Sequence, residues 1–235
     1  MVSIQNLHKK FGKNQVLAGL DLEIKEGGIF AVLGPNGSGK TTLIKCLLGM
    51  VIPNKGNITV LGNNVKSGSE YRYKIDYLPQ IANFPSNLKV KELIKMIKDL
   101  RGNTTKDQEL IDLFKLEPFL DKKLGNLSGG TKQKVNLVLT FMFDSPLVIL
   151  DEPTSGLDPI SLLRLKKLIQ TEKANGKTIL ITSHIMSFVE EISDEIVFLL
   201  EGKIYFKGTI NELKTKTNQP DFEHAIASIL TDNHA

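Results

Sequence analysis

A glycine-rich segment that ends in lysine and threonine carries the clearest chemistry in this sequence. It comprises Gly34, Pro35, Asn36, Gly37, Ser38, Gly39, Lys40 and Thr41. Glycines let backbone N–H groups approach phosphate oxygens, a lysine at this spacing reaches the outer phosphates, and the threonine hydroxyl is a ligand for Mg2+. The spacing therefore predicts a loop that binds the phosphates of a nucleotide, with Thr42 directly after it.

The segments on either side are of the kind that positions such a loop. The apolar run from Ile29 to Leu33 predicts a strand that is covered on both faces. A helical pattern follows from Thr41 to about Gly49, and a helix N-terminus adds N–H donors and a positive dipole end. The alternative is a glycine-rich turn with an incidental lysine. The strand and the helix favour the phosphate loop.

A second apolar run, residues 147–150, predicts another buried strand, and it ends in Asp151 and Glu152. A carboxylate at the end of a strand beside a phosphate loop is placed to hold Mg2+ through its waters, which suits Asp151. Glu152 can accept hydrogen bonds from an attacking water, as a general base must. Adjacent acids are also common as plain solvated residues, but the phosphate loop favours the functional interpretation.

Three small residues, Ser128, Gly129 and Gly130, precede a helix that is predicted to begin at Thr131. Ser128 can be a simple N-cap of that helix. Alternatively, the hydroxyl, the glycine amides and the helix N-terminus form a second anion site. Both interpretations stay open on the residues alone. Two phosphate-binding faces in one fold make sense only if they come from different copies of the chain.

Composition sets wider bounds on the class of protein. A chain of 235 residues with 41% hydrophobic and 24% charged residues is ordinary for one α/β domain, or a domain with a smaller lobe. No apolar run is long enough to span a membrane, and we expect no secretory leader. The net charge of +4 comes from scattered lysines, which argues against a nucleic-acid partner. Cys46 is the single cysteine, and we expect a buried thiol in a reducing compartment.

Hydrophobic periodicity gives the order of the elements. Residues 1–26 are β-rich, strands are predicted at 57–61, 75–80, 178–182, 195–200 and 204–206, and helices at 160–173, 186–192 and 222–230. Between 87 and 144 the pattern is helical and interrupts the alternation of strands and helices. The lysines of this block favour a solvated face over a basic docking surface. Phe11, beside glycine and lysines, is either packed in a loop or stacked on a base.

The ordered set of motifs resembles the nucleotide-binding domain of ABC (ATP-binding cassette) transporters over residues 1–212. The correspondence rests on the phosphate loop as Walker A, Gln80 as the Q-loop, residues 127–130 as the signature, residues 147–152 as Walker B, Asp158 in the D-loop and His184 as the switch. Phe11 falls where the family has an aromatic that stacks on adenine, usually tyrosine. Thr131 and Lys134 depart from the glutamine and arginine that are more usual there.

The resemblance implies an α/β fold: a P-loop NTPase core with a mixed or parallel sheet, an antiparallel β-subdomain and an inserted helical subdomain. It implies one nucleotide-binding domain over 1–235, with an ATP-binding core at about 1–80 and 145–212, a helical subdomain at about 81–144 and a short tail at 213–235. ATP and Mg2+ are the implied ligands.

The resemblance also implies roles for single residues. Glu152, His184 and Lys40 would be catalytic, and Thr41, Gln80 and Asp151 would hold Mg2+. The nucleotide-binding set would be Phe11, Gly34, Pro35, Asn36, Gly37, Ser38, Gly39, Lys40, Thr41, Thr42, Gln80, Ser128, Gly129, Gly130 and Asp158. In the family two domains pair head to tail, so that each ATP lies between Walker A of one copy and the signature of the other.

Three function classes are consistent with a phosphate loop. The first, which the resemblance implies, is an export-type ATPase subunit that works at the cytoplasmic face of the membrane with a separate transmembrane permease and a second copy of itself or a homologous subunit. The second is a soluble ATPase such as one for iron–sulfur assembly. The third, a GTPase or small-molecule kinase, lacks an N-K-x-D motif and leaves the signature unexplained. We expect the first.

Overall fold

Two β-sheets and the helices around them form the computed structural model, which describes residues 1–102 and 105–232. The strands are β1 (Val2–Phe11), β2 (Asn14–Ile24), β3 (Gly28–Leu33), β4 (Lys55–Val60), β5 (Asn63–Asn64), β6 (Ile75–Leu78), β7 (Leu147–Asp151), β8 (Thr178–Thr182), β9 (Glu195–Leu200) and β10 (Lys203–Gly208). The α-helices are α1 (Lys40–Leu47), α2 (Val90–Arg101), α3 (Asp107–Phe114), α4 (Gly129–Phe141), α5 (Pro159–Ala174), α6 (Met186–Ile192), α7 (Ile210–Thr217) and α8 (Phe222–Asp232).

The first sheet is antiparallel and has the strand order β2-β1-β4-β5. Val2 on β1 pairs with Ile24 on one side and Val60 on the other. Alternating apolar residues of β2 point inward, as expected for a sheet with one covered face. This sheet is the antiparallel part that the sequence predicted.

The second sheet has the order β10-β9-β3-β8-β7-β6, and all of its neighbours are parallel except β10, which runs antiparallel to β9. Strands β7 and β8 are buried at every position. Val32 pairs with Thr182, and Thr182 pairs with Asp151. The carboxyl ends of β3, β8 and β7 therefore meet at one edge, where the phosphate loop follows β3, Asp151 ends β7 and Glu152 comes directly after it.

Hydrophobic cores cover both faces of the second sheet. Successive residues of β3 alternate between them: Ile29 and Ala31 pack with residues of the helical block, whereas Phe30 and Val32 pack with the antiparallel sheet. This two-sided burial is why the strand before the phosphate loop is apolar throughout. Cys46 lies in the core that the antiparallel sheet shares, so the prediction of a buried thiol is confirmed.

Helices α2, α3 and α4 lie between β6 and β7 in the chain, within the block that was predicted to be helical. Three elements were not predicted: the short strand β5, a 3-10 helix at Glu70–Lys74, and α7. The predicted limits of the subdomains stay predictions, and residues 103–104 and 233–235 of the helical subdomain and tail lie outside the described residues. Across the described ranges, no helix has both the length and the apolar character needed to cross a membrane.

Candidate nucleotide-binding site

An open cavity of about 290 Å³ lies at the edge where β3 and β7 end. Its lining residues are Asn14, Val16, Asn36, Gly37, Gly39, Lys40, Thr41, Thr42, Gln80, Asp151 and Glu152. The phosphate loop, Gln80 just beyond β6, and Asp151 and Glu152 at the end of β7 are far apart in sequence and meet here. Their meeting is a consequence of the parallel order of the strands.

The phosphate loop wraps around the ammonium group of its own lysine. Lys40 Nζ donates to the backbone oxygens of Gly34 and Pro35, at 2.7 and 3.1 Å. Burial lowers the pKa of Lys40, while the negative charges of Glu152 and Asp151 act in the opposite direction. Ser38 is buried, and its hydroxyl oxygen has no hydrogen-bond partner among the described residues. Lys40 and Ser38 are therefore donors that a bound phosphate can use.

Asp151, the last residue of β7, has a buried carboxylate, and only one of its two oxygens has a hydrogen-bond partner among the described residues. Thr182 Oγ1, on the neighbouring strand β8, donates to Asp151 Oδ1 at 2.5 Å. Asp151 Oδ2 is buried and has no hydrogen-bond partner in the part of the chain that the structure describes. Buried polar atoms normally have partners, so this oxygen is suited to a ligand in the cavity that Asp151 lines.

Glu152 has a left-handed backbone conformation, with φ of 53°. Its amide N donates to Thr182 O at 3.1 Å, which helps to hold that conformation. A non-glycine residue in this region costs about 1–3 kcal/mol, and such residues cluster at functional sites. The turn directs the Glu152 carboxylate to His184, whose Nδ1 lies 2.8 Å from Glu152 Oε2. His184 is 64% exposed, and its position after β8 brings it to the same edge of the sheet.

The signature residues form a different surface. Ser128 is exposed and is the N-cap of α4, since Thr131 N donates to Ser128 Oγ at 3.3 Å. The capping interpretation of Ser128 is thus observed within one chain. Gly129 and Gly130 begin α4, and none of these three is among the residues that line the cavity.

The D-loop, residues 155–158, packs on the start of α4. A Cβ atom on Gly130 would lie 2.6 Å from Gly156 O, so the two backbones approach too closely for a side chain there. Asp158 caps α5 by accepting from Ser161 N at 2.8 Å, and it pairs with Lys134 Nζ of α4 at 2.7 Å. The hydrogen bond from Lys134 lowers the pKa of the Asp158 carboxyl. Lys134, one of the two departures from the family pattern, thus connects α4 to the D-loop.

Phe11 is half exposed, and it is not among the described residues that line the cavity. The ammonium group of Lys9 lies 4.7 Å from the centre of its ring. Phe11 pairs with Asn14 across the β1–β2 turn, and Asn14 does line the cavity, as does Val16. Sequence reasoning missed Asn14 and Val16. Asn14 lies opposite Phe11 in a short hairpin and Val16 is two residues further on, so closeness to Phe11 is the signal that could have found them.

This arrangement of a phosphate loop, a buried strand-end carboxylate and a glutamate defines a P-loop nucleotide-binding protein. A sequence model of the ABC transporter family matches residues 17–155. Similar proteins include Nod factor export ATP-binding protein I of Burkholderia orbicola, 34% identical over 90% of this chain and 72% of the relative. The lantibiotic transport ATP-binding protein SrtF of Streptococcus pyogenes is 35% identical, over 95% of this chain and 99% of the relative.

Solved structures agree with this fold. An ATP-binding subunit of an ABC transporter superposes with a TM-score of 0.91 and 28% identity, over 98% of this chain and 99% of the other. A dimeric ATP-binding cassette in a post-hydrolysis state, bound to ADP and Pi, has a TM-score of 0.77 and 24% identity, over 89% and 98%. The chain belongs to the ABC transporter family, as one of its ATP-binding proteins. The predicted family and fold class are confirmed.

Proposed function

We propose that this chain is the ATP-hydrolysing subunit of an ABC exporter and that it works as a head-to-tail dimer on a separate membrane permease. The main support is the composition of the cavity: residues of the phosphate loop, Gln80, Asp151 and Glu152 line it, whereas the signature residues do not. One chain therefore supplies a phosphate site with its acids, but it does not bring its own Ser128 to that site.

The phosphate loop would hold the phosphates of ATP. Lys40 would exchange its two carbonyl partners for β- and γ-phosphate oxygens, which are better acceptors because they are charged. Backbone amides of the loop and of the first turn of α1 would complete the cradle, with Ser38 Oγ as a further donor. Asn14 and Val16 are uncharged, so their part of the cavity suits the nucleoside.

The residues present fit a Mg2+ ion. Within 1–102 and 105–232, no three His, Cys, Asp or Glu side chains cluster as a ready metal site. Mg2+ at nucleotide sites needs no such cluster, since it is held by one or two carboxylates, substrate phosphates and water. Asp151, whose Oδ2 has no hydrogen-bond partner among the residues described, would hold the ion together with Thr41 and Gln80, which line the same cavity. When bound, Mg2+ neutralises charge that develops on the phosphate oxygens.

Glu152 would orient the attacking water and accept its proton. Its carboxylate lines the cavity, and its strained backbone fixes where that carboxylate points. His184, in contact with Glu152 Oε2, would hold the carboxylate in place and reach toward the γ-phosphate. A general base typically contributes about 10²–10⁴-fold to the rate, so replacing Glu152 should remove most of the turnover.

A second chain would complete each site with Ser128, Gly129 and Gly130. The three residues are at the N-terminus of α4, where free N–H groups and the helix dipole favour an anion. Ser128 Oγ accepts from Thr131 N at a long 3.3 Å and lies 2.9 Å from Thr131 Oγ1. With Thr131 as the donor in the second contact, the Ser128 hydroxyl proton would be donated to a phosphate of the partner's ATP. Asp158 would lie near the partner's switch histidine in such a pair.

The names of the relatives support the export direction and the location. Their names refer to Nod factor export and lantibiotic transport, which supports a subunit held at the cytoplasmic face of the membrane by a permease. A soluble iron–sulfur assembly ATPase is not favoured, because neither name refers to cluster assembly.

The substitution Glu152→Gln tests the proposal. It removes the base but keeps the shape of the side chain, so ATP binding should persist, steady-state hydrolysis should fall by about 10²-fold or more, and ATP should drive the variant into dimers. Phosphate release and light scattering measure the two effects. Glu109→Gln, an exposed residue of α3, is the control. Unchanged hydrolysis would remove Glu152 from the role of base, and an ATP-loaded variant that stays monomeric even with its permease would refute the dimer.

A further inference from the structure

The turn between β9 and β10 contacts two segments that contribute lining residues to the nucleotide cavity, the phosphate loop and β2, through the backbone of a single residue, Gly202. The Gly202 amide N donates to Ser38 O of the phosphate loop at 3.1 Å. The Gly202 carbonyl O accepts from Ala18 N of β2 at 3.0 Å. Gly202 is buried, although the Glu201 and Lys203 on either side of it are exposed. Its two peptide groups therefore join the phosphate loop to β2.

These two partners belong to different sheets. Strand β2 is at the edge of the antiparallel sheet and carries Asn14 and Val16, the uncharged residues of the cavity. The phosphate loop follows β3 of the parallel sheet. A nucleoside triphosphate is long enough to contact both parts at once. The spacing between β2 and the loop therefore decides whether nucleoside and phosphates can be bound together.

Residue 202 has no room for a side chain. Its φ of +74° is in the left-handed region, and a Cβ atom would lie 2.3 Å from Val16 O and 2.9 Å from Leu17 Cα. Both of these atoms are backbone atoms of β2, so they cannot rotate away as a side chain can. Any residue larger than glycine must push the turn and β2 apart, and Val16, whose oxygen is the nearest atom, is itself a lining residue of the cavity.

We propose that Gly202 is a positioning residue for the nucleotide, one that fixes the spacing between the nucleoside part of the cavity on β2 and the phosphate loop. The inference rests on the proposed function, because it takes ATP as the occupant of the cavity. Gly202 is not among the described residues that line the cavity, so it would act on ATP only indirectly. It would do so through its hydrogen bonds to Ser38 and Ala18, which fix the distance between the phosphate loop and β2.

Two ligands separate this role from simple damage to the loop. ATP contacts both β2 and the phosphate loop, whereas inorganic tripolyphosphate needs the loop alone. In Gly202→Ala the affinity for ATP should fall by about tenfold or more, while that for tripolyphosphate changes by less than about threefold. Titration calorimetry measures both. Gly62→Ala is the matched control, since Gly62 has a similar φ of +77° and nothing within 4 Å of its added Cβ.

Each outcome decides a different point. Wild-type affinity for ATP in Gly202→Ala would overturn the inference, and so would an equal loss for both ligands, since that indicates a damaged loop. Failure of the wild-type chain to bind ATP would instead overturn the proposed function. If Gly202→Ala does not fold, hydrogen–deuterium exchange on the wild-type chain takes its place. ATP should then protect the amides of Gly202 and Ala18 together with those of the phosphate loop, and protection of the loop alone would contradict the inference.

Discussion

Replacing Arg101 with methionine should destabilise the protein strongly, because it would leave a buried carboxylate without its counter-ion. Asp76 on β6 is 1% exposed, and Arg101 Nη1 at the end of α2 lies 2.6 Å from its Oδ1. Arg101 Nη2 also donates to Tyr73 O at 2.7 Å and Ser145 Oγ at 3.0 Å. Methionine keeps contact with the ring of Phe143, on which the guanidinium now stacks at 4.0 Å. The charge is what the substitution removes.

The magnitude follows from the burial of the pair. Removing one partner of a buried ion pair costs about 3–5 kcal/mol, because the remaining charge stays desolvated. For a domain of this size, a loss of that order lowers the melting temperature by about 6–20 °C. Asp76→Asn in the same chain removes the stranded charge. The double variant should therefore recover most of the loss, and urea denaturation of both variants and the wild type measures the coupling.

The pH dependence of the stability loss tests the same prediction for Arg101→Met in a second way. Burial raises the pKa of Asp76 above its ordinary 3.8, and the hydrogen bond and charge of Arg101 oppose that rise. Without Arg101 the folded-state pKa must rise further. A carboxyl group with a raised folded-state pKa contributes stability below its unfolded pKa and loses it as the pH rises through the folded pKa. The loss in free energy of unfolding of Arg101→Met, relative to the wild type, should thus be largest near neutral pH and become smaller toward pH 4.

Two results would refute this reasoning. A loss below about 1 kcal/mol at neutral pH would mean that Asp76 is solvated or neutral in the wild type. A double variant no more stable than Arg101→Met would mean that the loss comes from packing against Phe143. The cluster also bears on the site, since β6 ends two residues before Gln80 and is an edge strand of its sheet.

Three further predictions concern single side chains. Lys40→Ala should weaken ATP binding about tenfold or more, because a charged hydrogen bond to phosphate is lost. A nucleotide titration measures the affinity, and Lys45→Ala, at an exposed position of α1, is the control. Equal affinities of the two variants would count against the phosphate loop as the binding site. Burial raises the pKa of Cys46 to about 11, so a thiol reagent at pH 8 should label it only after unfolding, and rapid labelling of the folded chain would contradict its burial. Lys134→Ala should cost no more than about 1 kcal/mol in urea denaturation because its partner Asp158 is largely exposed, and a larger loss would indicate a structural role for the pair.

Local patterns were enough to predict the elements that position the phosphate loop. The strand β3 is apolar at each position from Ile29 to Leu33 because both of its faces are covered, and this continuous run is visible without a structure. The same holds for β7, which ends at Asp151. We also expected the phosphate loop and Asp151 to follow neighbouring strands, and this expectation was wrong. In the sheet they are separated by β8, whose Thr182 donates to Asp151.

Helix α7 was missed although its signal is local. Its residues are mostly polar, so hydrophobic periodicity gives little indication of a helix. Thr209 and Glu212, however, form a capping box, in which Thr209 N donates to Glu212 Oε2 at 2.7 Å and Glu212 N donates to Thr209 Oγ1 at 3.2 Å. The spacing of a threonine and a glutamate three residues apart predicts a helix start on its own. Hydrophobic periodicity alone therefore does not detect this helix, whereas its capping box does.

The contacts that tie the functional motifs together could not have been predicted from any local pattern. Gly130 meets Gly156, and Gly202 meets Val16, through backbone atoms that lie 26 and more residues apart in the sequence. A glycine in a sequence indicates permitted conformations, but it does not say which neighbour excludes the side chain. That information depends on the order of strands in two sheets. The phosphate loop is therefore recognisable by itself, whereas its spacing from β2 is a property of the whole fold, which is why Gly202 emerges as a candidate positioning residue only from the structure.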